Sequence, residues 1–222
     1  MSFIDEKDCM QLVESLIKES WPFDLDNLKF PFKQMKFNDC MRFYGIDKPD
    51  LRFDMKFNKL NEVFVKCAQT GVNKLDSLIS SKKFDAYAFK VPIDSGIDDI
   101  DLEKVEKEYR TILKNSHINS QDVNLFFILK NESGNNLSKY FSNEIKETIS
   151  RFLQVDNEVV ILMVSNNEKK MQEILGKYRL RLADLIDETN KSKFGSEAKL
   201  LRNPKIFNFL WVILHFLNFF LT

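Results

Sequence analysis

Glycine and proline are scarce in this chain, six and five respectively among 222 residues. So few turn-forming residues exclude collagen-like and low-complexity architectures and point to long regular elements joined by short connections. Neither the GxGxxG turn of a dinucleotide site nor the GxxxxGK[ST] loop of a nucleoside triphosphate site is present, which argues against a nucleotide-dependent Rossmann enzyme. Histidine occurs only at His117 and His215, leaving little for a histidine metal site or a Ser-His-Asp relay. Cys9, Cys40 and Cys67 are odd in number, widely spaced and without a CxxC pair, so neither a disulfide framework nor a zinc ribbon is expected. Lys plus Arg and Asp plus Glu both total 33, so no charge of one sign marks the chain as a polyanion binder, and no DNA partner is expected. The start, Met1 to Asp8, turns acidic at once and does not read as a secretory signal, which places the end of synthesis in the cytosol.

What is present is rhythm. Cys9, Leu12, Val13, Leu16 and Ile17 fall at helical spacing before Trp21-Pro22, predicting an N-terminal helix. Residues 28–43 are Phe-rich but broken by Pro31, and edge strand and irregular packing both remain open. Leu51, Phe53, Met55 and Phe57 alternate with polar residues, the period of a half-buried strand, and Leu60 to Ile79 then takes a helical period. Phe84–Val91, Val123–Leu129 and Val159–Val164 read as further strands, and stripes within 102–113, 137–152 and 171–186 as helices. Four strand–helix repeats predict an α/β fold with a mostly parallel sheet, Rossmann-like in order but without a nucleotide fingerprint. The expected organisation is an N-terminal helix and Phe-rich segment (1–50) packing on the core, the α/β domain (51–188), a basic polar linker (189–205) and an apolar C-terminal helix (206–222).

That last segment, IFNFLWVILHFLNFFL from Ile206 to Leu221, has no charged residue and follows Lys191, Lys193, Lys199, Arg202 and Lys205. Leaving its large side chains in water would forgo roughly 2 kcal/mol each, so it must be buried. As a helix it would reach roughly 24 Å, short for a bilayer but tolerable in a thin internal membrane, with the basic flank on the cytosolic side. Phe207, Leu210, Trp211, Leu214, Phe216, Leu217 and Phe220 would then contact membrane or a partner protein. Asn208, His215 and Asn218 share one helical stripe, which equally suits a terminal helix packed in the core, the protein then being cytoplasmic rather than on a membrane face.

In a parallel sheet, ligands sit beyond the carboxyl ends of the strands, here the loops Asn58-Lys59, Pro92–Asp99, Lys130–Asn136 and Ser165–Asn167, the last three along one edge. The acids Asp94, Asp98, Asp99 and Asp101 read as helix-start residues rather than a calcium loop, and Cys67 as a packed thiol. No catalytic constellation, metal site or cofactor site emerges. Ser133, Gly134, Asn135, Lys139, Tyr140 and Lys146, with Ser165 and Asn166 at the same edge, form the candidate phosphate site, since a glycine turn and helix N–H groups beside a lysine suit an anion.

The same order of elements resembles the MID domain of Argonaute proteins: a strand ending in Pro92, a helix, the strand LFFIL, then a helix with Tyr140 and Ile145-Lys146. Tyr178–Asn190 is similar to the segment leading into a PIWI domain. The resemblance spans about half the chain and implies binding of an RNA 5′-phosphate. The Thr-Gln-Cys element, the paired glycines and a PIWI catalytic region are missing, and Tyr140 and Lys146 stand too far apart for the family's tyrosine–lysine pair. Three functional readings result. The first is a non-enzymatic cytosolic interaction domain held to a membrane or partner by its C-terminal helix. The second is a phosphate- or RNA-end-binding module, and the third a small-molecule enzyme with its site at the strand ends.

Overall fold

A computed structural model describes residues 5–25, 28–66, 70, 72–92, 102–116, 122, 124–129, 141–155, 158–202 and 210–213. Helix α1 (Glu6–Ser20) starts at a capping box in which Asp5 and Asp8 each accept from the other's backbone N–H. Strand β1 (Lys33–Lys36) runs directly into α2 (Phe37–Tyr44). A short β2 (Asn58–Lys59) precedes two helices, α3 (Asn61–Lys66) and α4 (Asn73–Ser80). Then follow β3 (Asp85–Val91), α5 (Leu102–Asn115), β4 (Asn124–Leu129), α6 (Asn143–Leu153), β5 (Val159–Ser165), the long α7 (Glu168–Phe194) and β6 (Leu210–Ile213).

The fold is mixed α/β, as its periods predict, but the sheet is not mostly parallel. Its order is β2-β3-β5-β4, and every pairing in it is antiparallel. Strands β3 and β4 run the same way, joined through α5, yet β5 lies between them in the opposite sense. The strands read as unbroken apolar runs because both sheet faces are covered, a condition that antiparallel strands also meet when helices pack on each side. Tyr87, Phe89, Val91, Ile161 and Met163 pack with α5 and α7 on one face. Ala86, Ala88, Val160, Leu162 and Val164 pack with α3, α4 and α6 on the other. Each large side chain buried in these layers contributes about 1.5–3 kcal/mol, and the small Ala86 and Ala88 occupy the face where three helices gather.

Two predicted elements change character. Leu60 to Ile79 forms two short helices rather than one, and Asp76 in α4 accepts from both the backbone N–H (2.8 Å) and the hydroxyl (2.7 Å) of Thr70, fixing the approach to α4. Leu51 to Phe57 keeps the expected alternation, with Phe53, Met55 and Phe57 buried and Asp54 and Lys56 exposed, but it is no strand. Only Asn58 and Lys59 join the sheet, opposite Ala88 and Tyr87.

The apolar C-terminal segment differs most. Where it is described, at Leu210–Ile213, it is a strand paired in parallel with β1, Trp211 lying opposite Gln34. Glu14 of α1 accepts from the Trp211 indole N–H (2.8 Å) and the Phe32 backbone N–H (3.0 Å), joining helix, β1 approach and β6. Leu210 and Trp211 therefore belong to a protein sheet and not to a membrane helix. Phe207, Leu214, Phe216, Leu217 and Phe220 lie outside the described residues. Among the described residues no helix is long and apolar enough to cross a membrane. The chain thus leaves the β1/β6 pair, builds the four-stranded layer and returns along α7.

Candidate functional site

Helix α2 meets α7 at a pair of glycines. Gly45 ends α2 with φ +70, and a Cβ there would stand 2.0 Å from the Gln172 carbonyl oxygen, while one on Gly176 would stand 2.7 Å from that of Tyr44. This close approach lets α2, β2, β3 and the first turns of α7 enclose an open cleft of about 440 Å³ lined by Asn38, Met41, Arg42, Lys59, Tyr87, Glu168 and Gln172.

The cleft wall is a connected polar network. Lys59 Nζ lies 2.7 Å from both Asp85 Oδ1 and Glu168 Oε1. The Tyr87 hydroxyl donates to Glu168 Oε1 (2.6 Å) and accepts from Gln172 Nε2 (3.1 Å). Burial alone would lower the Lys59 ammonium, but its hydrogen bonds to Asp85 and Glu168 raise it well above the ordinary lysine range. Burial likewise opposes ionisation of Glu168, and donation by Lys59 and Tyr87 outweighs it, holding the carboxyl below its usual value. Tyr87 is pushed up by burial and by the Glu168 carboxylate. At neutral pH the network is therefore a fixed ammonium–carboxylate–phenol array, suited to orienting a polar ligand rather than to exchanging protons.

Beside it, a second cleft of about 390 Å³ is lined by Asp54, Met55, Lys56, Asn58, Lys90, Pro92, Leu153 and Glu158. Lys90 is committed there, to Glu158 (3.2 Å) and the Gln154 carbonyl (3.1 Å). Asp54, Met55 and Lys56 of that lining belong to the 50–57 segment, which Arg179 of α7 holds. Fully buried, Arg179 donates from Nε to the Met55 carbonyl (3.1 Å) and from Nη2 to those of Asp50 (2.8 Å) and Phe53 (3.0 Å). Its guanidinium lies 4.1 Å from the Phe53 ring centroid and 5.0 Å from that of Tyr44. Arg179 thereby satisfies three carbonyls of a segment that belongs to no strand among the described residues. Burial pulls Arg179 down to about 10, which leaves it charged at neutral pH.

The sequence-predicted site is not assembled in this way. Ser133, Gly134, Asn135, Lys139 and Tyr140 lie outside the described residues, as do Asp94, Asp98, Asp99, Asp101, Cys67 and His117. Lys146 is on α6, which covers the sheet face opposite α7. Ser165 is buried, its hydroxyl accepting from Asn167 N–H (3.1 Å), and Asn167 caps α7 through Lys170 N–H (3.2 Å); Asn166 is exposed at that turn. The register places Ser165 opposite Asp85 and Asn124, at the starts of β3 and β4, whereas the end of β4 lies at the start of β5. The loops expected along one edge thus leave from opposite ends of the sheet. Of the residues that line the clefts, sequence reading reached only Asn58-Lys59 and Pro92, as loop positions. A lone arginine inside the apolar stripe of α7 and a tyrosine within a buried strand were the available signals for Arg179 and Tyr87.

Comparison with known proteins adds what geometry alone does not. A family model described as tRNA synthetases class II (D, K and N) matches residues 1–217. The chain is 31% identical over 217 residues to the mitochondrial aspartate–tRNA ligase of Bos taurus, covering 96% of this chain and 30% of that protein. It is 28% identical over 213 residues to the mitochondrial aspartate–tRNA ligase of Homo sapiens (96% and 31%). With the aspartate–tRNA(Asp/Asn) ligase of Campylobacter hominis it is 29% identical over 217 residues (96% and 33%). The chain spans about a third of the length of these relatives. Relatives that are ligases overturn the reading of a non-enzymatic adaptor and the leaning against enzymatic function. The strand at Leu210–Ile213 removes the basis for a membrane anchor and for placement on an internal membrane. The family matched over residues 1–217 is the tRNA synthetases class II (D, K and N) and not the Argonaute proteins, and Tyr140, one of the residues behind that resemblance, lies outside the described residues.

Proposed function

Since the chain belongs to the class II tRNA synthetases (D, K and N), we propose that it works as part of an aspartate–tRNA ligase, whose substrates are aspartate and tRNA. The observation that carries this reading is the match to aspartate–tRNA ligases over 96% of the chain, together with a family match that spans residues 1–217. The cleft lined by Asn38, Arg42, Lys59, Tyr87, Glu168 and Gln172 is polar and charged, which favours contact with a hydrogen-bonding substrate such as RNA over an apolar ligand. RNA thereby enters as tRNA, in place of a free RNA 5′-end.

A segment exchange tests the proposal. Residues 1–217 would replace the matching stretch of the bovine mitochondrial ligase, and attachment of radiolabelled aspartate to tRNA would be measured. Charging within about tenfold of the parent, a change of about 1.4 kcal/mol in the barrier, is expected. A chimera that unfolds cooperatively yet charges no tRNA would overturn the assignment.

A further inference from the structure

Four cations line the two clefts, and two of them are already neutralised: Lys59 by Asp85 and Glu168, Lys90 by Glu158. Arg42 and Lys56 are not. Both are exposed, and neither makes an ion pair among the described residues, although Asp39 precedes Arg42 on α2 and Asp54 shares the cleft with Lys56. Instead both rest on one aromatic ring. Lys56 Nζ lies 3.9 Å from the Phe43 ring centroid and Arg42 Cζ 5.2 Å from it.

The backbone enforces this meeting. Phe57 N–H donates to the Phe43 carbonyl (2.8 Å), holding the last turn of α2 against the 54–57 segment, and Arg179 fixes that segment from below through Met55. Arg42 has a local reason for its place, since a cation in the last turn complements the helix dipole. Lys56 has none, and like charges gathered on one ring repel. Such an arrangement is relieved by an anion lying between the two cations, and the ring reduces the entropy lost when they close on it. The position is open, Arg42 lining one cleft and Lys56 the other, so an extended anion can run across it.

We propose that Arg42 and Lys56, presented on Phe43, grip a backbone phosphate of RNA. This rests on the tRNA-ligase reading and names its contact. A phosphate contact of this kind carries no base preference and contributes to the salt dependence of binding.

The test is fluorescence anisotropy of the 222-residue chain with a labelled tRNA transcript across a series of salt concentrations. Doubly substituted R42Q/K56Q is expected to lower the slope of log affinity against log salt by about 2, about 1 per cation, equally for tRNAs of different sequence. Phe43→Leu, which keeps an apolar side chain but removes the ring, is expected to weaken binding about 2- to 5-fold. The charge-matched pair K104Q/K107Q, on exposed positions of α5, is expected to leave the slope unchanged. An unchanged slope for R42Q/K56Q, an equal drop for the α5 pair, no RNA binding by the unaltered chain, or tighter binding of an aspartate-rich peptide than of RNA would each overturn the proposal. Thermal melts matching the unaltered chain establish that the variants fold. If the slope is unmoved while the segment exchange still charges tRNA, the phosphate contact falls and the ligase assignment stands.

Discussion

Arg179 carries a positive charge where no solvent reaches it, and its partners are three backbone carbonyls and two aromatic faces rather than a carboxylate. Such a residue stabilises by satisfying groups that nothing else reaches, so the consequence of removing it is set by what is left behind. In Arg179→Met the carbonyls of Asp50, Phe53 and Met55 lose their donor inside the protein, at about 1–3 kcal/mol for each group that finds no water. A loss of at least about 3 kcal/mol in urea unfolding is expected, with Arg179→Lys in between because one ammonium cannot reach all three oxygens. A loss below about 1 kcal/mol for the methionine variant would show that the segment holds itself. The same residue explains what the sequence concealed: alternation at Leu51–Phe57 reports which side chains are buried, and it did so correctly, but it is silent on which donor the backbone will meet. The residues of the Lys59–Glu168–Tyr87 network were equally hard to read, because they come from β2, β3 and α7 and meet only through sheet register.

At the scale of elements, helices and strands were legible wherever apolar spacing was long and regular, as in α1, α5, β5 and α7. Strand direction was not. A run such as Val159–Val164 demands cover on both faces, and an antiparallel centre strand flanked by helices provides that as fully as a parallel one. The apolar C-terminal run shows the same ambiguity in sharper form, since periodicity in a short run of large side chains does not separate helix from strand. In β6 the deciding partner is β1, more than 170 residues away in sequence, with Glu14 bridging them. Glu14→Ala removes the acceptor of the Trp211 indole and the Phe32 amide at once. Faster amide exchange at 33–36 and 210–213, by a factor corresponding to about 1–3 kcal/mol, is expected, with β3 and β5 unaffected. Unchanged protection in β1 and β6 would mean that the two-stranded ladder stands without α1.

Across the whole molecule, α7 is the element that joins β5 of the sheet to α2 and α5. Its buried side chains Met171, Ile174, Leu175, Tyr178 and Leu182 belong to the sheet's core, and Gly176 touches the end of α2. Farther along, Asp187 accepts from the backbone N–H of Leu201 (2.7 Å) and Arg202 (3.2 Å), and Arg202 pairs with Asp184, so the chain heading for β6 is seated on the same helix. Gly176 allows a decisive sign test of this arrangement. A glycine inside a helix costs about 1 kcal/mol relative to alanine, so if α7 were merely a helix, Gly176→Ala would stabilise the protein. The new methyl group would instead stand 2.7 Å from the Tyr44 carbonyl oxygen and 2.9 Å from the Gly45 carbonyl, both backbone atoms of a turn held by Gly45 at φ +70. Neither can step aside without moving α2 off α7, so overpacking of about 1–3 kcal/mol should outweigh the helical gain. The expected result is a lower urea midpoint for Gly176→Ala, together with a widened gap between α2 and α7 and loss of the Arg179 contact to Tyr44. A higher midpoint would mean that the two helices are free to part, and the cleft that α2 and α7 help to enclose would then lose its physical basis.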